Sequence, residues 1–249
     1  MQEKYSRNRI YIGKKEQNDI SNFSILLGGC GIGSVIAECA LRLGFESFTL
    51  VDGDKVEESN LNRQNYRYED IGKFKVEALA DRLISINPTV KIKLVKSYIS
   101  VENIESIIEG HNIAINALDF TTDIPLLFDE YCQNQNIHVL HPYNIGWGGL
   151  LTIIAPNGVS LNSLIENKNK FNELNFVKYA SNYMSFIGSP QEWLDEVIDK
   201  YIKEEKKSPP PQLSIASWIV ASMCVTAIYN IVTNKPIKTF PEFYITTIK

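Results

Sequence analysis

Phe23-Ser-Ile-Leu-Leu27 runs directly into Gly28-Gly-Cys-Gly-Ile-Gly-Ser34 and on through a helical pattern to Leu43. A short apolar run bounded by glycines reads as a buried strand, and the helix that follows starts with N–H groups that have no partner within it. Those groups and the helix dipole favour an anion, and the missing side chains let the backbone close on a phosphate. Gly28, Gly31 and Gly33 are the candidate contacts. An ordinary strand-to-helix turn also uses glycine, for its conformational freedom. A second apolar run ends at Val51-Asp52, which sets a carboxylate about 20 residues past the glycines, where such a group meets ribose hydroxyls in a Rossmann-type unit. Asp52 is harder to assign to a mere turn.

Outward from this core lie Asn60-Leu-Asn-Arg-Gln64 and Ile71-Gly-Lys-Phe-Lys75. The glycines and Asp52 suit NAD as well as ATP. Arg63, Gln64 and Lys75 separate the two, because a triphosphate being cut needs its negative charge met and a dinucleotide in a dehydrogenase does not. A charge-rich loop is otherwise a solvated surface. Arg63 and Lys75 are both expected to be largely solvent-reachable.

With these pieces in order, the chain resembles the ThiF/MoeB/HesA family of the ubiquitin-activating-enzyme superfamily. The residues that carry the resemblance are Tyr5-Ser-Arg7, Gly28 to Ser34, Val51-Asp-Gly-Asp-Lys-Val-Glu57, Ser59-Asn-Leu-Asn-Arg-Gln64, Ile71-Gly-Lys-Phe-Lys-Val-Glu77, Ile86-Asn-Pro88 and Asn116-Ala-Leu-Asp119. They cover roughly residues 5 to 155, with a weaker match at the C-terminal helix and strand. The resemblance implies ATP as cofactor, bound by Asp52, Asn60, Arg63, Gln64 and Lys75, and Mg2+ held through ATP by Asp119. From the residues alone Asp119 reads equally as a helix cap. The resemblance further implies that Arg7 reaches the phosphates from the partner subunit of a homodimer. Arg63, Lys75, Asp119 and Arg7 are then the catalytic set. The reaction it implies is adenylation of a carboxylate, the C-terminus of a ubiquitin-like or sulfur-carrier protein or a peptide. Three alternatives stand beside it: activation of a carboxylate on a tRNA nucleoside, an NAD-dependent oxidoreductase, and a silent binding subunit of an activating-enzyme heterodimer.

Two departures from the family are visible. Cys30 stands where the pattern usually has glycine, and a small buried hydrophobe is the better reading of it than a reactive thiol. Many members carry a zinc site built from C-x-x-C pairs, but Cys30, Cys39, Cys132 and Cys224 form none, so no structural zinc is expected. No cysteine lies between 133 and 223, and no thioester on this chain is expected.

The 249 residues fit one α/β domain, doubly wound and Rossmann-like with a mostly parallel sheet. Its parts are an N-terminal helical arm (1–22), a nucleotide-binding core (23–155), a helical insertion (156–212) and a C-terminal helix and strand (213–249). His138 and His141 flank a strand and read as structural groups, and Tyr143 to Gly149 reads as a loop over the pocket. The insertion carries an apolar stripe of Trp193, Leu194, Val197 and Tyr201 and ends in Lys203-Glu-Glu-Lys-Lys-Ser-Pro-Pro-Pro211; specificity is expected here. Leu213 to Val232 has the length of a membrane span, but its serines, Thr226 and Asn230 favour a buried packing helix, so no membrane is expected. A net charge of −4 gives no reason to expect a nucleic-acid partner. The N-terminus lacks a signal peptide's apolar core, and the expected location is cytoplasmic.

Overall fold

Strand β1, Ser24–Gly28, is buried from Ile25 onward because helices cover both of its faces, which is why it reads as a continuous apolar run rather than an alternating one. The computed structural model describes residues 3–165, 171–205 and 208–249, so parts of the insertion, among them Lys206 and Lys207 of its lysine-proline end, lie outside the described residues. Helix α2, Gly33–Leu43, leaves the glycine turn and stops at Gly44, whose φ of 125° excludes most side chains. Strand β2 is Ser47–Val51 and helix α3 Lys75–Ile86, which ends before the Asn87-Pro88 pair that cannot continue it. Strand β3, Lys91–Val95, helix α4, Ile104–Ile108, and strand β4, Ile113–Asn116, follow. Helix α5, Ile124–Asn134, has Pro125 in its first turn, where the missing N–H costs nothing.

The remaining elements are strand β5, His138–Asn144, strand β6, Gly148–Ile154, the insertion helices α6, Glu173–Phe186, and α7, Glu192–Ile202, helix α8, Ser214–Val232, and strand β7, Tyr244–Thr247. Sequence patterning puts Tyr143 to Gly149 in a loop. Instead its ends belong to β5 and β6, which pair as an antiparallel hairpin from Asn144↔Gly149, so that only 145–147 turn.

The seven strands lie in the order β3-β2-β1-β4-β5-β6-β7. The first five are parallel, and β6 and β7 close the edge antiparallel. Alternate residues of each strand serve opposite cores. Ile25, Leu27 and Leu140 join α2, α3 and α8 on one face. Leu26, Val139 and Tyr143 join α4, α5, α6 and α7 on the other. Helix α8 is long and apolar enough to cross a membrane by length and composition. Here it packs along α2, β5 and β6 and buries Ala216, Val220, Ala221, Cys224 and Ile228.

The arm before β1 is not one helix. Glu3–Asn8 forms a 3-10 turn, Ile10 takes a φ of 79°, and only Lys14–Ser21, α1, is α-helical. The buried Tyr5 hydroxyl donates to Glu46 at 2.8 Å, and Lys4 donates to Asn87 at 2.9 Å. Both partners lie where β2 begins and α3 ends, which fixes the arm at the amino ends of the strands.

Candidate active site

The strand order reverses between β1 and β4, and ligands of open α/β sheets bind beyond the carboxyl ends of strands at such a point. A cavity of about 710 Å³ opens there. Gly29, Gly31 and Ile32 line it at the start of α2, with Asp52 at the end of β2. The turn is shaped around Gly29, which sequence reading passed over. Its φ is +97°, and a Cβ there would lie 2.4 Å from the carbonyl oxygen of Ala117. No other residue fits that approach of β1 to the segment after β4. Gly28 and Gly33 do not line the cavity. A Cβ on Gly28 would meet Ile99 at 3.3 Å, and one on Gly33 would meet Leu27 at 3.2 Å, so both serve strand and helix packing.

Asp52 is buried and already holds the turn: its Oδ2 accepts from the Cys30 N–H at 2.7 Å and its Oδ1 from the Asp54 N–H at 2.8 Å. Burial pushes its carboxyl up, against the lowering effect of Lys75 and these two donors. Lys75 is 8% exposed, not solvent-reachable as its charge led one to expect. It begins α3, whose buried face carries it inward, and its Nζ donates to Asp54 at 2.8 Å. The Tyr98 hydroxyl donates to the same carboxylate at 2.6 Å, so Asp54 and Tyr98 are site residues that sequence reading missed. Asp54 stood inside the Val51-to-Glu57 motif and was the available signal.

Arg63 enters from the loop after β2. Its Nε donates to Gln212 Oε1 at 2.5 Å and its guanidinium to the Ser59 carbonyl at 2.8 Å. Burial pulls it below the ordinary arginine value, while the Asp119 carboxylate pulls the other way. Gln212 comes from the end of the insertion, and nothing in its neighbourhood of prolines marked it. Gln64 lines the cavity with a buried Oε1 that has no partner. Asn60 is buried but does not line the cavity. Its Oδ1 accepts from the Glu57 N–H at 3.0 Å, and its carbonyl from the Arg63 and Gln64 N–H groups, so it braces the loop that presents them.

Asp119 lines the cavity three residues beyond the end of β4, and the N-cap position of α5 is taken by Asp123, whose side chain makes no capping bond, not by Asp119. Among the described residues no group of three or more His, Cys, Asp or Glu side chains is placed to hold a metal ion. A cation at Asp119 would need oxygens from a ligand. Arg7 is exposed on the arm, at the amino ends of the strands and away from this chain's own cavity.

The cavity continues past Asp119 along β5 to α6 and α7, where His141, Tyr143, Glu173, Val197 and Tyr201 face it. His141 is no isolated structural histidine. It is 1% exposed, and its Nε2–H donates to both oxygens of Asp129 at 2.8 Å. Asn116 donates to Asp129 and to the Pro125 carbonyl, each at 2.8 Å, completing a buried network. The Nδ1 of His141 and the hydroxyl of Tyr143 are buried without partners. Glu173, first residue of α6, is pushed up to about 7 by burial and by Asp119. The four thiols are free, none lines the cavity, and burial pushes each of them up.

The same architecture is found in known proteins. The family model described as "ThiF family" matches residues 5–248. The SAMP-activating enzyme E1 of Haloferax volcanii is 27% identical over 63% of the chain and 59% of its own length. The sulfur carrier protein ThiS adenylyltransferase of Bacillus subtilis is 30% identical over 61% of the chain and 47% of its own. The tRNA threonylcarbamoyladenosine dehydratase of Escherichia coli is 30% identical over 52% and 48%. The chain thus spans about half the length of these relatives. Among solved structures, E. coli MccB with AMPCPP and MccA aligns with TM-score 0.70 at 17% identity, over 99% of this chain and 71% of that one. PaaA aligns with TM-score 0.69 at 21% identity, over 94% and 72%. At such identities the likeness shows the fold alone. The family match runs from the arm to the last strand, and by it the chain belongs to the ThiF family.

Proposed function

We propose that this chain adenylates a carboxylate with ATP. The observation that carries the reading is the convergence of Arg63 and Lys75 with Asp52, Asp119 and the α2 N-terminus on one cavity. A phosphate chain laid along the glycine turn has its charge met by the α2 N-terminus, Arg63 and Lys75. Asp52 is at the end of β2 where a ribose would sit, once its hold on the Asp54 N–H is exchanged. The substrate carboxylate attacks the α-phosphorus, the bond to the bridging oxygen breaks, and pyrophosphate leaves as the acyl-adenylate forms. Asp119 fits a Mg2+ ion that nucleotide oxygens also hold; such an ion would neutralise charge on the phosphates. Lys75 must release Asp54 to reach a phosphate, and Asp54 keeps Tyr98 as its donor when it does.

The substrate we infer is the C-terminal carboxylate of a ubiquitin-like or sulfur-carrier protein or a peptide. What supports it over a tRNA nucleoside is charge: the cavity's only cations among the described residues are Arg63 and Lys75, and the chain is acidic. The same two cations count against a dehydrogenase. We further infer a two-fold homodimer in which Arg7 serves the neighbour's cavity. Ile10 and Tyr11, 94% and 84% exposed just beyond Arg7, offer apolar surface for that contact. The adenylate would pass directly to a separate acceptor, because no thiol stands at the cavity. Pyrophosphate exchange into ATP, dependent on added carrier or peptide, tests the reading; no exchange with any carboxylate substrate, alongside reduction of NAD+ to NADH as a hydroxy substrate is oxidised, would sink it.

A further inference from the structure

Past Asp119 the cavity holds a chamber that the phosphate chemistry does not use, built from β5, the Phe120 segment and the insertion helices α6 and α7. Its polar groups have unmet valences. His141 gives Nε2–H to Asp129, and its Nδ1, an acceptor in that tautomer of the uncharged ring, is buried without a partner. The Tyr143 hydroxyl is buried and unpartnered, on a ring stacked 6.4 Å from that of His141. Glu173 brings a carboxylate close enough to raise the Tyr143 phenol. Arg63 and Lys75 both stand at the nucleotide end, so no cation among the described lining residues faces Glu173.

A buried acceptor left unsatisfied costs about 1–3 kcal/mol, which an occupant with matching donors recovers. Once Glu173 has lost its proton the acceptors here outnumber the donors: its two oxygens and Nδ1 of an uncharged His141 only accept, and the phenol does either. We propose that this chamber binds a primary ammonium group, with Glu173, His141 Nδ1 and Tyr143 Oη accepting its N–H bonds. The Phe120 ring, which also lines the cavity, is an aromatic surface of the kind that attracts a cation. A second carboxylate or phosphate would meet Glu173 and Asp119 with no countercharge. The inference rests on the adenylation reading only for what fills the neighbouring chamber. The amine has two possible sources, a side chain of the activated molecule or a separate amine acceptor.

The test is calorimetric titration of the full chain, saturated with ATP and Mg2+, by n-butylammonium and by n-butanol as its neutral counterpart. Butylammonium is expected to bind at least tenfold tighter than butanol. Glu173→Gln should erase that preference, and Tyr143→Phe, which keeps the ring, should weaken it severalfold. Thermal unfolding checks that both variants fold. N-acetyl-lysine and N-acetyl-norleucine form the second arm: preference for the former assigns the amine to the carboxylate's own molecule, and preference for butylammonium alone assigns it to a separate acceptor. Equal binding of amine and alcohol, or an amine preference that survives Glu173→Gln, overturns the proposal. Failure of ATP to bind the unsubstituted chain would instead sink the adenylation reading and leave the amine titration, repeated without nucleotide, to be judged by itself.

Discussion

At the nucleotide end of the cavity almost every charged group has a partner already: Asp52 holds two backbone N–H groups, Lys75 holds Asp54, and Arg63 holds Gln212. Among the uncharged groups there, Gln64 Oε1 is buried without a partner. At the insertion end the position is reversed, with His141 Nδ1 and Tyr143 Oη buried without partners and Glu173 pushed up by burial and by Asp119. The first arrangement keeps cations in place before a ligand arrives, and binding exchanges one partner for another of similar strength. The second leaves free energy to be recovered by an occupant, which concentrates selectivity there. Asp129 and Asn116 tie His141 of that end to α5 and β4 through hydrogen bonds.

Breaking that support should have the largest effect. Asp129→Ala strips the buried His141 and Asn116 of their shared acceptor, and each buried donor left unsatisfied costs about 1–3 kcal/mol. Urea unfolding would measure it. A loss under about 1 kcal/mol would mean that water or a rearranged His141 replaces the carboxylate, and the contrast between the two ends would shrink.

Next comes the satisfied end. Arg63→Ala and Lys75→Ala should each lower pyrophosphate exchange by about 10²–10³-fold, the usual cost of one charge-stabilising group. They should part company in stability. Arg63→Ala is expected to be near neutral, whereas Lys75→Ala removes a buried ammonium from Asp54 and should cost about 1–2 kcal/mol. Exchange at the unsubstituted rate in either variant would remove that residue from the site.

The two ends also differed in how far the sequence disclosed them. The strand-turn-helix around Gly28 to Ser34 is local: apolar run, glycines and helix follow one another, so period and turn chemistry suffice. Arg63 and Lys75 were singled out by their charge and by the family resemblance, and both line the cavity; burial of Lys75 was not legible, because it depends on which face α3 turns to the sheet. The insertion end assembles Asn116, Asp129, His141 and Glu173 from four separate elements, and no spacing links them. His141 looked like an isolated histidine for that reason. Gly29 was missed for a related one: the need for it comes from Ala117, far away in the chain.

A pH titration sharpens the contrast from the unmet side. Glu173 is pushed from 4.5 up to about 7, so the folded chain keeps a proton that the unfolded chain has released. The resulting penalty is absent below the unfolded value, grows as pH rises from 4.5 to about 7, and is complete above. Glu173→Gln removes it. The variant should be more stable than the unsubstituted chain by up to about 3 kcal/mol above neutral pH, with the difference vanishing near pH 4. A constant difference across that range would show that Glu173 carries no such burden in the empty cavity.

The smallest effect concerns how the satisfied end is completed. Within one chain Arg7 sits at the amino ends of the strands, while the cavity opens at the carboxyl ends, so only a second copy can bring the two together. Mixing inactive Arg7→Ala and Lys75→Ala chains in equal amounts gives mixed dimers in about half of all pairs. One cavity of each mixed dimer then has its own Lys75 and its neighbour's Arg7, and the other has neither. Recovered exchange should approach about one quarter of that of the unsubstituted protein, since half the dimers carry one complete cavity in two. Native mass spectrometry would establish that subunits have mixed. Mixing without recovery would leave Arg7 outside the site, and the nucleotide end would then be complete within a single chain.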